Sequence, residues 1–115
     1  MSTNKYVELE PVSHAEADNR LSSSDQYLIA RTLIVIGLYD EDWRWVQQHA
    51  LRFLSHDSEI VISAAILSLA HTARVNRSID KNVIVPALQA VAADPRFIGK
   101  VQDAIDDIEM YVKHS

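Results

Sequence analysis

Apolar residues in this chain gather into helix-length runs, each opened by an acidic or hydroxyl residue. Three runs share that form: SDQYLIARTLIVIGLY from Ser24, DSEIVISAAILSLAHTA from Asp57 and DPRFIGKVQDAIDDIEMYV from Asp94. Their starts lie roughly 33 to 37 residues apart, a spacing typical of stacked supersecondary units rather than of one closed bundle. Two further helical stretches follow Asp40 and Asp80. The order is therefore helix A, helix B, helix A, helix B, helix A. The pattern predicts an all-α chain, a short right-handed α-α superhelix of about five main helices plus a short N-terminal helix. Such arrays offer surfaces to partners more often than they enclose reactions.

At 100° per residue the first A helix is apolar on almost every side, with Leu28, Ile29, Leu33, Ile34, Val35, Ile36 and Leu38 leaving Arg31 and Thr32 as a polar sliver. A helix of that kind must be covered on both flanks. The second is alike: Ile60, Val61, Ile62, Ile66, Leu67 and Leu69 surround it, and small residues from Ser63 to Ala70 allow close neighbours. Leu67 is accordingly expected in the core. The β-branched content suggests strands, but runs of this length without hairpin turns between them are helices. The B helices are one-sided. Val46, Ala50, Leu51, Phe53 and Leu54 share an arc in the first, and Val83, Ile84, Ala87, Leu88, Ala90 and Val91 form the expected buried stripe of the second. Pro86 lies within that second stripe, and its missing N–H predicts a late or bent start to the helix.

Residues 1–23 read as an N-terminal arm followed by a short capping helix, and residues 24–115 as the repeat domain. Ser13 and Glu16 have capping-box spacing for a helix running to about Leu21. The Ser22 to Asp25 cluster then restarts the chain, since short polar side chains cap helix N-termini.

Within VISAAILSLAHTA (Val61 to Ala73), and more loosely in LIARTLIVIGLY and KVQDAIDDIEMY, paired small residues precede Leu or Ile and then Gly37 or Ala70. This spacing resembles the A helix of HEAT-type repeats over about Ser24 to Tyr111, with Ile62 where those repeats usually carry Arg. The stretch YLIARTLIVIGLYDEDWRWVQQHALRFLSHDSE further resembles immunity proteins of bacterial contact-dependent growth inhibition and related polymorphic toxin systems. That resemblance implies a protein that binds and neutralises a toxin domain.

The 115 residues include no cysteine, two glycines and three prolines, and the net charge is −5. A negative balance disfavours nucleic acid as the main ligand, and suits either a basic protein partner or ordinary solubility. Without cysteine there is no disulfide, thiol nucleophile or Cys-based zinc site. The first twenty residues carry no apolar core of signal-peptide length, and no run approaches ~18 apolar residues. A cytoplasmic location is expected.

His14, His49, His56, His71 and His114 include no pair three or four residues apart, so no helix face presents two imidazoles to a metal. Asp103, Asp106 and Asp107, with Glu109 beside them, share the polar side of the last helix. Paired carboxylates do acid–base work only where an enclosed site shifts their pKa values, and a terminal helix face is open to water. No Gly-x-Ser-x-Gly elbow or glycine-rich phosphate loop occurs. Neither an enzyme nor a cofactor is expected.

The turn between the first A and B helices concentrates the remaining chemistry. Asp40, Glu41 and Asp42 crowd it, flanked by Tyr39 and Trp43. Asp40 is expected to cap the B helix, with its acidic neighbours complementing the helix dipole, and Trp43 to enter the core. Trp45 lies about 200° around the wheel from Trp43, beside His49 and Arg52 on the outward side. It is either an interface anchor or packs under Tyr6 or Val7 of the arm. Asp40, Glu41, Asp42, Trp45 and His49 are thus one candidate partner-binding surface, and Asp103, Asp106 and Asp107 a second. The expected partner is a basic toxin domain, expected to be a nuclease, bound by a monomer or weak dimer without membrane or direct nucleic-acid contact. A HEAT-like adaptor is the alternative, and a small lyase or regulatory domain a third class.

Overall fold

A computed structural model describes residues 9–113, and Tyr6, Val7 and His114 lie outside them. All regular elements among the described residues are helical: α1 His14–Leu21, α2 Gln26–Tyr39, α3 Trp43–Phe53, α4 Glu59–Asn76, α5 Lys81–Val91 and α6 Ile98–Tyr111, with a 3-10 turn at Pro95–Phe97 before α6. The A helices α2, α4 and α6 form one layer with α4 in the middle. Helix α1 lies against α2, α3 against α2 and α4, and α5 against α6. The described residues extend 44 × 29 × 23 Å.

Local capping chemistry sets most helix starts. Ser13 Oγ accepts the Glu16 N–H, Asp25 Oδ1 accepts those of Tyr27 and Leu28, and Ser58 Oγ accepts that of Val61. Each bond occupies a donor that the first helical turn leaves without an internal partner. The Ser13 box is half closed, because the Glu16 carboxylate bonds Arg20 at 2.9 Å rather than turning back to the cap. Helix α4 ends at Arg77, a left-handed residue with φ of 57°, whose guanidinium lies over the Tyr111 ring.

One continuous core runs from Ala17 and Leu21 of α1 through Leu33, Ile36, Val61, Ile66 and Leu69 to Val101, Ile108 and Val112. The tightest crossing is between Gly37 and Ser68. A methyl group on Gly37 would sit 2.7 Å from the Ser68 carbonyl oxygen and 2.8 Å from its Oγ. Only glycine permits α2 and α4 to approach this closely.

Several expectations about burial are corrected. Thr32 does not face outward but is fully buried, with Oγ1 donating to the Leu28 carbonyl at 2.8 Å. A threonine satisfied within its own helix can present its methyl group to the core. Leu67, expected in the core, is 40% exposed, whereas Leu69 is completely buried. In α5 only Ile84 and Leu88 are buried, while Val83 and Ala90 are exposed. This helix packs chiefly on α6 at the end of the array, and a gap of about 450 Å³ separates it from α3. Helix α5 also starts regularly at Lys81, with the Ile84 N–H bonded to the Asp80 carbonyl, and so runs through Pro86. Pro86 is exposed, so water can take the carbonyl that its ring leaves without a donor.

Candidate functional site

The two acidic surfaces differ in how far their groups are already committed. At the corner of α1, α2 and α3, Asp40 ends α2 and its carboxylate is 13% exposed. Both of its oxygens face His14 Nε2, at 3.1 and 3.0 Å, and Oδ1 also accepts the Asp42 N–H at 2.9 Å. Its main-chain carbonyl accepts Asn76 Nδ2 at 3.0 Å. Asp40 therefore does not cap α3. Asp42 does, accepting the Trp45 N–H at 3.2 Å. The chain needs two residues to turn out of α2 before the next helix can begin, which moves the cap from Asp40 to Asp42.

Trp45 is half-buried. Its indole is sandwiched between imidazoles: His14 stacks on it at 3.6 Å with an interplanar angle of 6°, and His49 meets it edge-on at 4.7 Å and 74°. His49 Nε2 faces Asp18 Oδ1 at 3.3 Å, and its Nδ1 faces Arg52 Nη2 at 3.3 Å. A guanidinium can only donate, so Nδ1 accepts and Nε2 carries the proton toward Asp18. Burial pushes the His49 pKa below its ordinary value, Arg52 and His14 add to the shift, and Asp18 opposes it. Helices α1, α2 and α3 are thereby joined by two His–Asp pairs around one tryptophan. Trp43, expected in the core, is half-exposed with the Arg44 guanidinium 4.5 Å from its ring centre. Glu41 and Asp42 remain exposed.

His14 and Asp18 are absent from the sequence-derived candidates. Their partners belong to other helices, and spacing along a single helix carries no trace of such pairs. The helix over residues 14–21, once it is placed against α2 and α3, is the only local signal.

The second surface belongs to the A-helix layer. Helix α4 forms the floor of an open groove of about 860 Å³, walled by α2 and α6. Ile34, Ile60 and Leu67 supply apolar area, Ser63, Ala64 and Ala70 make the floor shallow, and Lys100, Asp103 and Asp107 line the α6 side. Asp107 pairs with Arg74 at 3.2 Å, and Asp106 accepts from Gln102 at 2.9 Å. Arg74 also contacts His71 Nδ1. Burial lowers the His71 pKa, Arg74 lowers it further, and Asp107 opposes them. Asp103 is exposed and has no bonded partner among the described residues. Glu109 pairs with Lys81 at 3.6 Å. The three aspartates therefore do not act as one cluster.

Among the described residues, no group of three or more His, Asp or Glu side chains is arranged to hold a metal ion. No helix among them is long and apolar enough to cross a membrane.

No family model and no curated protein matches the chain. Among solved structures, the fold is similar to that of a chain in the crystal structure of a CDI complex from Cupriavidus taiwanensis LMG 19424, with a TM-score of 0.82 and 24% identity. The likeness covers 95% of this chain and 98% of that one.

Proposed function

We propose that this chain is an immunity protein that binds a cognate toxin domain stoichiometrically and neutralises it. The observation that carries the reading is the likeness in fold, along nearly the whole of both chains, to a chain of a CDI complex. The resemblance of the stretch from Tyr27 to Glu59 to contact-dependent inhibition immunity proteins points the same way from the sequence side. The target is a nuclease domain whose nucleic-acid groove is basic. A chain of net charge −5 is drawn to such a groove by long-range attraction, which accelerates the encounter and makes it salt-dependent.

Binding follows from surface chemistry rather than from bond-making by this chain. Two acidic regions are available for it. In the corner of Asp40, Glu41, Asp42, Trp45 and His49, the free charge is that of Glu41 and Asp42, because Asp40, Trp45 and His49 are held by α1. On α6, Asp103 and Asp106 face outward beside the Arg74-paired Asp107.

The test is co-expression with the toxin domain encoded next to this chain's gene. Survival of cells making both proteins, death of cells making the toxin domain alone, and a one-to-one complex in a binding titration are the expected results. Death despite co-expression, with no association between the purified proteins, would overturn the reading in favour of a docking adaptor. Death from this chain expressed alone would make it the toxic member instead.

A further inference from the structure

We infer that the groove over α4 is the docking site for the toxin and that its occupant is an amphipathic helix of the toxin domain. This rests on the immunity reading and adds to it the surface and the chemistry of the segment that fills it.

The groove leaves apolar contacts unmade within a concavity. At the α1–α2–α3 corner Asp40, Trp45 and His49 are already engaged by α1, which leaves a partner chiefly the exposed charge of Glu41 and Asp42. Over α4, by contrast, Ile60 and Leu67 are exposed, two turns apart on the same stripe as Ser63 and Ala70. Exposed apolar groups in a concavity are what interface anchors bury.

The dimensions suit a helix. The stripe from Ile60 to Arg74 is about 21 Å long at 1.5 Å per residue. Packed helices lie about 8–10 Å apart, which separates α2 from α6, on either side of α4, by roughly twice that distance. One further helix fits between the walls above α4, reading the stripe at every third or fourth position.

Charge specifies the occupant further. Asp107 on the α6 wall and Glu59 at the start of α4 are paired with Arg74 and Arg96, whereas Asp103 and Lys100 have no bonded partner among the described residues. They stand one helical turn apart on α6. A toxin helix that complements this wall has an apolar face for Ile60 and Leu67, a Lys or Arg for Asp103, and an Asp or Glu one turn away for Lys100.

The experiment measures binding of the adjacently encoded toxin domain to wild type, Leu67→Arg, Asp103→Lys and Glu41→Lys, with a thermal melt for each variant. Asp103 is exposed and Leu67 is 40% exposed, so both variants should stay folded, Asp103→Lys melting like wild type and Leu67→Arg no more than several degrees below it. Leu67→Arg should weaken binding about 30-fold or more, Asp103→Lys should slow association several-fold, and Glu41→Lys should bind within about twofold of wild type. A photoreactive residue in place of Leu67 should crosslink to a helical segment of the toxin domain. Wild-type affinity in Leu67→Arg, or a crosslink to a non-helical segment, would overturn the docking site while leaving the immunity reading intact. Failure of the wild-type chain itself to bind the toxin domain would overturn both.

Discussion

The His14 imidazole lies flat on the Trp45 indole at 3.6 Å and, through Nε2, holds Asp40 at 3.0 Å. One side chain of the first helix thus covers an aromatic ring of α3 and hydrogen-bonds the acid that ends α2. Helix α1 has eight residues, too few for independent stability in water, so its helical state depends on contacts of this kind.

His14→Ala should therefore cost about 1–3 kcal/mol, combining a lost ring stack with a lost hydrogen bond to a carboxylate. The urea midpoint should fall and Trp45 fluorescence should shift to the red as the ring becomes wetter. Arg20→Ala, which removes an exposed pair with Glu16, should change stability by less than about 1 kcal/mol. Equal effects of the two substitutions would show that α1 is not fastened through His14.

The two glycines should respond in opposite directions. Gly37→Ala drives a methyl group against the Ser68 backbone and should cost about 1–3 kcal/mol through overpacking. At Gly99 nothing lies within 4 Å of an added Cβ. Gly99→Ala should stabilise the protein by up to about 1 kcal/mol through helix propensity. Thermal melts of both variants test the α2–α4 crossing directly.

Leu67 and Leu69 separate the groove from the core. Leu69→Ala should cost about 2–5 kcal/mol through lost transfer energy and a residual cavity. Leu67→Ala, at a position 40% exposed, should cost less than about 1.5 kcal/mol. Denaturant midpoints that ranked the two the other way would mean that α4 is rotated from the orientation described.

Stability should decline in mild acid. His49 and His71 both have folded-state pKa values lowered from the ordinary 6.5, mainly by burial and secondarily by Arg52 and Arg74. Between each lowered value and 6.5 the unfolded chain binds more protons than the folded one, so stability increases with pH in that window. The contribution is fully present above 6.5 and is lost as pH falls through 6.5 toward the folded values. Urea midpoints measured on either side of this window should reveal the decline, and the His49→Gln, His71→Gln double variant should flatten it. An unchanged slope in the double variant would assign the decline to other groups.

The positions of the helices are legible in the sequence because their causes are local. Apolar runs of helical length, with short polar residues such as Ser13, Asp25 or Ser58 just before them, specify within a residue or two where turns of helix begin, whereas the cap of α3, expected at Asp40, is Asp42. The near-uniform burial expected of α2 and α4 has the same origin, since a helix apolar on all sides needs neighbours on both flanks.

Which side of such a helix stays uncovered was decided only by tertiary structure. Leu67 and Leu69 are the same residue type two positions apart in an all-apolar helix, and no asymmetry in the sequence pattern distinguishes them. The layer ends with α2 and α6 on either side of α4, and that arrangement buries Leu69 while leaving Leu67 in the groove. The candidate site followed the same division. Acidic residues at the α2–α3 turn and on α6 could be read from sequence, but not that His14 and Asp18 would engage the first set, or that Arg74 would take Asp107 and leave Asp103 unpaired. Pairing between charged groups depends on distances of a few ångströms between separate helices. Those distances exist only once the core has set how the helices cross.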